Sequence, residues 1–165
     1  MSTSLPFSFT EKNLKEYQEI LSRYDDIESA LLPVLHLAQE QHGYLPTVVV
    51  EYISSLMGIP KIKIQEVISF YDMFYDTPTA KKIVQVCTNI TCSLYGGRKI
   101  HQELLSHYNT QNMVPTKDGE IFIQKMECLG ACEIAPCIRV GNDYYGPIQD
   151  TQEALNKIKG ESANP

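Results

Sequence analysis

The chain has 165 residues, of which 43% are hydrophobic and 21% are charged, as in globular proteins with one domain or two small ones. Its formal net charge of −6 argues against general nucleic-acid binding, which depends on clustered Lys and Arg. No apolar run approaches the ~18 residues of a membrane span, and the N-terminus lacks the pattern of a secretory signal. We therefore expect a cytoplasmic chain with no span of its own and no nucleic-acid partner.

Residues 1–78 contain no cysteine and predict a helical bundle. Thr10 can cap a first helix, and Asp25 with Glu28 is a weak capping-box signal for a second one. Pro33 is unfavourable inside a helix. The second helix therefore either kinks at Pro33 or begins its regular part close to it.

A third helix follows the "Leu-Pro-Thr" stretch and ends at Gly58, and Pro60 can open a fourth at its first position. The apolar stripe of the fourth helix comprises Ile64, Val67, Ile68, Tyr71 and Phe74. Four short amphipathic helices with brief connections predict a small bundle.

The pattern changes near residues 76–79, and residues 79–165 mix strands with helices. Short β-branched or alternating runs predict strands, and Gly141-Asn142 is a hairpin-turn signal. The predicted elements are a strand at 82–88, a helix within 94–108, a strand at 120–126, strands at 137–140 and 143–146, and a helix at 150–159. The predicted fold class is therefore mixed α+β or α/β, with a helical bundle at 1–78 followed by a second domain at 79–165.

Four of the five cysteines form two pairs, Cys87-x4-Cys92 and Cys128-x3-Cys132, with 35 residues between the pairs. Cys87 closes the first predicted strand, and Cys128 follows the second. Two loops at one edge of a sheet can bring four thiolates around one centre. Small residues near both pairs, such as Gly96-Gly97 and Gly130-Ala131, would let backbone N–H groups approach a cluster.

Several kinds of site are compatible with four thiols. Structural zinc usually uses two-residue spacing, a thioredoxin-type dithiol needs Cys-x-x-Cys, and disulfides are disfavoured in a reducing compartment. Unrelated core thiols are a further alternative. An all-thiolate iron–sulfur cluster accepts wider loops, so the residues alone indicate a four-thiolate metal site and favour iron and sulfide.

The fifth thiol, Cys137, follows Pro136 at the start of a predicted strand. Free cysteine is among the most buried residue types, so we expect Cys137 to pack in the core, with an alternative ligand or a reactive thiol as the other possibilities. The histidines lie away from ligand spacing to the cysteine pairs, so we expect them to have ordinary surface or capping roles. Glu133 is expected to be a solvated surface acid.

The stretches "VCTNITC" (86–92) and "CLGAC" (128–132), with the gap between them, resemble the small thioredoxin-like [2Fe–2S] subunit of respiratory complex I, NADH:quinone oxidoreductase. The N-terminal stretches "LLPVLHLAQEQHGYLP" (31–46) and "EVISFYDMFYDTP" (66–78) are similar to its helical segments, and "NDYYG" (142–146) is similar to a strand near its C-terminus. The resemblance covers about residues 28–160.

The resemblance implies a helical bundle followed by a thioredoxin-like [2Fe–2S] ferredoxin domain. It implies one binuclear cluster, whose metal- and cofactor-binding residues are those matching Cys87, Cys92, Cys128 and Cys132. FMN, NADH and a [4Fe–4S] cluster belong to a partner flavoprotein, beside further iron–sulfur subunits, in a peripheral arm on the cytoplasmic side of the inner membrane. The chain would hold no catalytic residue and would have no independent turnover.

Two other functions share this pattern of ligands. Equivalent diaphorase subunits of NAD(P)-linked hydrogenases or formate dehydrogenases would look alike in sequence. A free ferredoxin-like electron carrier is the remaining alternative, although a carrier needs only the cluster domain and has no use for the helical half.

Overall fold

The computed structural model describes residues 7–160. Residues 1–6, where the stretch considered for a secretory signal begins, lie outside the described part. The contacts divide the chain into two compact units, Met1–Pro78 and Thr79–Pro165. Within residues 7–160, no helix has both the length and the apolar character that crossing a membrane requires.

The first unit is helical, as its sequence predicts. Its α-helices are α1 (Glu11–Leu21), α2 (Leu31–His42), α3 (Thr47–Met57) and α4 (Lys61–Phe70). Their inward faces share one apolar core, in which the side chains of Val34, Leu35, Val49, Ile53 and Ile64 are fully buried. Packing of these amphipathic faces stabilises helices that would be marginal alone at this length.

The starts and ends of these helices follow local chemistry. The Thr10 hydroxyl accepts a hydrogen bond from the Asn13 N–H at 3.2 Å and caps α1, as predicted. The second cap is Asp26 rather than Asp25: its carboxylate accepts from the Glu28 N–H at 3.3 Å and opens a short 3-10 helix that runs directly into α2. Pro33 lies in the first turn of α2, where a missing N–H costs no helical hydrogen bond.

The fourth helix is shorter than its apolar stripe suggests. Pro60 is the cap of α4 rather than its first residue, and the backbone at Tyr71 is already extended, with φ −99° and ψ 114°. Phe74 therefore lies beyond α4 but is still buried in the core of this unit. Apolar spacing identified the buried side chain, whereas the helix end was placed too late.

The second unit contains a four-stranded sheet with helices packed against it. Its strands and α-helices are β1 (Lys82–Cys87), α5 (Ile90–Leu94), α6 (Gly97–His107), β2 (Ile121–Met126), β3 (Ile138–Val140), β4 (Asp143–Tyr145) and α7 (Thr151–Gly160). A short 3-10 helix (Cys132–Ile134) lies between β2 and β3. The strand order is β2-β1-β3-β4. The mixed fold class and the 141–142 hairpin are confirmed.

The sheet brings the cysteine segments to one edge. Strand β1 pairs with β2 in parallel, so Cys87 lies opposite Met126, and the chain that leaves β2 begins beside the end of β1. Strand β3 runs antiparallel to β1 and pairs Ile138 with Val86, which places the start of β3 at the same edge. The segments that carry Cys87, Cys128 and Cys137 therefore meet there.

Two local features of this unit differ from the sequence prediction. The short helix α5 was not predicted; the Asn89 side chain caps it by accepting from the Ile90 N–H at 2.8 Å. Strand β2 is buried continuously from Ile121 to Gln124 instead of alternating, as expected where a parallel strand is covered on both faces. Its buried Gln124 amide accepts a hydrogen bond from Gln85 at 3.1 Å.

Candidate metal centre

Cys87 and Cys92 form the buried side of the site. Cys87 is the last residue of β1 and is 2% exposed, and Cys92 lies in α5 and is 1% exposed. The Cys87 thiol donates to the Glu127 carbonyl at 3.5 Å. Since Glu127 directly precedes Cys128, this contact ties the end of β1 to the second cysteine loop.

Cys128 and Cys132 form the open side. Both are exposed, their Sγ atoms are 4.0 Å apart, and the Gly130 N–H donates to Cys128 Sγ at 3.4 Å. Gly130 has a φ of +74°, a left-handed conformation that glycine adopts without strain. Leu129 and Ala131, from the same loop, pack against the buried thiols. The contact between Cys87 and Glu127 ties the two cysteine segments together, whereas the close group of thiols within 4.8 Å contains Cys87, Cys92 and Cys137 but neither Cys128 nor Cys132.

Cys137 is buried, as predicted, but it is no isolated core residue. Its side chain is 2% exposed, and its Sγ lies 3.9 Å from Cys92 Sγ. The Sγ atoms of Cys87, Cys92 and Cys137 all lie within 4.8 Å of one another. In addition, the Cys87 N–H donates to the Cys137 carbonyl at 3.2 Å, so a backbone hydrogen bond between adjoining segments holds Cys87 and Cys137 together.

The thiols differ in how readily they ionise. Burial acts to raise the pKa of Cys87, but the N–H groups of Asn89 and Leu129 and the neighbouring thiols outweigh it, and the pKa lies below the ordinary value. Burial raises the pKa of Cys92 and, far more strongly, that of Cys137. The N–H groups of Asn89 and Leu129 therefore favour the thiolate form of Cys87.

Gly97 fixes the first pair in a way that the sequence did not predict. A Cβ added at Gly97 would lie 2.5 Å from the Cys87 carbonyl oxygen and 2.9 Å from that of Cys92. The start of α6 therefore packs directly against the backbone of both ligand candidates. Small residues were predicted near this pair to let N–H groups approach sulfides; at Gly97 the close approach is instead between backbone segments.

The donor set fits an iron–sulfur cluster. All five cysteines are free thiols, and two thiolates that share a tetrahedral metal ion at about 2.3 Å lie roughly 3.8 Å apart, close to the 4.0 Å of Cys128 and Cys132. Backbone N–H groups that point at sulfur are a known means of stabilising cluster charge.

The expected surface or capping role is wrong for His101, whereas Glu133 is exposed as predicted. His101 is buried and its Nε2 lies 3.1 Å from the Asn112 side-chain oxygen, and Glu133 is exposed beside Cys132. A burial pattern can suggest that His101 lies inward, but no sequence signal pairs it with Asn112.

The fold and the site together define a class: a chain with a group of free cysteines at one edge of a mixed sheet. The family model of the thioredoxin-like [2Fe–2S] ferredoxin matches residues 17–159. The chain therefore belongs to the thioredoxin-like [2Fe–2S] ferredoxin family.

Curated relatives match over most of the chain. An NADH-quinone oxidoreductase subunit of Rickettsia bellii is 37% identical over 94% of this chain and 96% of its own. The corresponding subunit of Rhizobium meliloti is 35% identical over 81% of this chain and 80% of its own. The mitochondrial NADH dehydrogenase [ubiquinone] flavoprotein 2 of Dictyostelium discoideum is 36% identical over 93% of this chain and 64% of its own. The resemblance to the small subunit of complex I is thus confirmed.

A solved structure shares the fold. A chain of an NAD⁺-reducing [NiFe]-hydrogenase in the air-oxidised state superposes with a TM-score of 0.62 at 18% identity. The match covers 76% of this chain and 22% of the hydrogenase chain. At this identity, the likeness supports the fold alone.

Proposed function

We propose that this chain is the iron–sulfur electron-transfer subunit of the NADH dehydrogenase module of NADH:quinone oxidoreductase. Cys87, Cys92, Cys128 and Cys132 would hold its single [2Fe–2S] cluster. The observation that carries the proposal is the contact between the two cysteine loops, in which Cys87 reaches Glu127 at 3.5 Å while Leu129 and Ala131 pack on the buried thiols. The assignment to this particular complex rests on the names of the curated relatives.

When bound, the cluster supplies one-electron chemistry at low potential, roughly −400 mV for an all-cysteine ligand set. The chain's own part is to bind the metal and to tune its surroundings. N–H groups of Asn89, Leu129 and Gly130 point at sulfur atoms and favour their negative charge. The burial of Cys87 and Cys92 excludes water from one side of the centre. No acid–base step is assigned to the chain, so we expect no independent turnover.

The partner in this proposal is a flavoprotein that binds FMN and NADH and carries a [4Fe–4S] cluster, together with further iron–sulfur subunits of a cytoplasmic peripheral arm. A hydride donor delivers two electrons, whereas a cluster accepts one, so a flavin must separate them. The apolar side chains of Ile90, Leu94 and Tyr95, close to Cys92 in sequence, are 74%, 80% and 68% exposed. Their exposure supports the proposal that a partner subunit covers this surface. Apolar patches of this kind commonly mark protein interfaces.

The ligand set can be tested by replacing each cysteine with serine in the full chain. We expect the binuclear signal in electron paramagnetic resonance to disappear at positions 87, 92, 128 and 132, because each loses a thiolate. Cys137→Ser is the matched control and should keep the signal. The unmodified chain should contain about two irons and two acid-labile sulfides. Loss of the cluster in Cys137→Ser with retention in Cys132→Ser would overturn the assignment.

The partner can be identified by co-purification with a tagged chain from its natural host. Recovery of an FMN-containing NADH-oxidising subunit together with quinone-reducing subunits would support the proposal. Recovery with hydrogenase or formate dehydrogenase subunits would assign the chain to an equivalent diaphorase instead. A chain that carries its cluster but purifies alone at every salt concentration would be a free electron carrier.

A further inference from the structure

Three thiols lie closer together than the cluster assignment requires. Cys87, Cys92 and Cys137 have mutual Sγ distances within 4.8 Å, and the Cys92–Cys137 pair is at 3.9 Å. All three side chains are at most 2% exposed. A [2Fe–2S] cluster on the two predicted pairs uses only two of these three sulfurs. The third sulfur, on Cys137, therefore has no role in the proposed function.

The spacing of these three sulfurs suits a single tetrahedral ion. Thiolates bound at about 2.3 Å around one zinc ion lie roughly 3.8 Å apart. The Cys92–Cys137 distance of 3.9 Å already matches this value, and the other two distances need to shorten by no more than about 1 Å. The exposed pair Cys128–Cys132 has a similar separation of 4.0 Å but offers only two ligands.

The surroundings hold the three sulfurs in place. Cys87 and Cys137 belong to adjoining segments at the ends of paired strands and share a backbone hydrogen bond of 3.2 Å. Cys92 is fixed to Cys87 by the packing of Gly97 against both carbonyl groups. The nearby Leu129, Ala131 and other apolar side chains keep the group dry, which strengthens attraction between a cation and thiolates.

We propose that, in chains that carry no cluster, Cys87, Cys92 and Cys137 bind one thiophilic divalent ion of the zinc type. Each thiol gives its proton to the solvent as its sulfur binds, so three protons leave for each ion, and an external ligand completes the tetrahedron. Zinc is the expected class because soft thiolates select it over harder cations. The ion and the cluster exclude each other, since both need Cys87 and Cys92.

The test uses the full chain stripped of iron by a chelator under reducing, anaerobic conditions, with circular dichroism to verify that it is folded. Titration with Co²⁺ reports bound thiolates through their charge-transfer absorption, and Zn²⁺ should displace the cobalt. We expect one ion per chain. Cys137→Ala removes a ligand and should weaken Co²⁺ binding by at least the roughly 10–100-fold that loss of an outer-shell partner costs. It should also remove the absorption that one bound thiolate contributes.

The double variant Cys128→Ala/Cys132→Ala is the matched control and should bind Co²⁺ as tightly as the unmodified chain. The opposite pattern, with binding lost in the double variant and kept in Cys137→Ala, would overturn the proposal. X-ray absorption of the zinc-loaded unmodified chain counts the sulfur ligands to the ion. This measurement tests the proposal without depending on whether any variant folds. Three sulfurs support the triad, and four overturn it. Neither result alters the expected cluster in Cys137→Ser, so the two proposals fail separately.

Discussion

Gly97→Ala should disturb the metal centre more than it disturbs the fold. The added Cβ would lie 2.5 Å from the Cys87 carbonyl oxygen and 2.9 Å from that of Cys92, so both carbonyls must retreat by up to about 1 Å to reach ordinary contact. Overpacking of this kind costs about 1–3 kcal/mol, and alanine in a helix returns roughly 0.5–1 kcal/mol. We expect a net loss of up to ~2.5 kcal/mol in the free energy of unfolding.

The effect on the centre should be larger because ligand geometry tolerates only about 0.5 Å of misplacement. We expect Gly97→Ala to reduce the cluster content per chain clearly, as measured by visible absorption and iron analysis beside urea unfolding. Gly160→Ala is the matched control: it also lies in a helix, and its Cβ would meet nothing within 4 Å. Equal stability and equal cluster content in the two variants would refute the reasoning.

Two further predictions concern the second unit. Gly146→Ala places a Cβ 2.0 Å from the Ile134 carbonyl oxygen, and we expect a loss of about 3 kcal/mol or more, visible as a lower melting temperature; an unchanged melting temperature would contradict the contact. Burial, aided by the charge of Lys125, lowers the pKa of His101 despite its hydrogen bond to Asn112. The unfolded chain therefore takes up this proton first, and the contribution of His101 to stability should fall as pH drops below about 6.5. His101→Gln should flatten this fall in urea unfolding measured from about pH 5 to 8; an identical slope in both chains would contradict it.

The sequence predicted those features that depend on local chemistry or on one-dimensional periodicity. Thr10 as a cap, Gly58 as a helix end and the hairpin at Gly141-Asn142 all depend on short-range backbone preferences, and the structure contains each of them. The pairing of the two cysteine loops was also accessible, since strand ends that share an edge bring their loops together.

The features that the sequence did not predict depend on contacts between distant segments. The fit of Gly97 against Cys87 and the approach of Cys137 to Cys92 arise only when β1, α5, α6 and the start of β3 are assembled. Neither leaves a spacing signal along the chain. The short helix α5 was missed because five residues carry too little periodicity, although Asn89 before it is a favourable cap.

The contrast between the buried and exposed thiols has a consequence for how a damaged cluster would be replaced. Cys87 ends the interior strand β1, which has a neighbour on each side, whereas Cys128 and Cys132 sit on an exposed loop. Loops with solvent-exposed backbone open locally at much lower free energy than central strands. A damaged cluster would then leave through the loop while the sheet stays folded, and a new one could be inserted without refolding the chain.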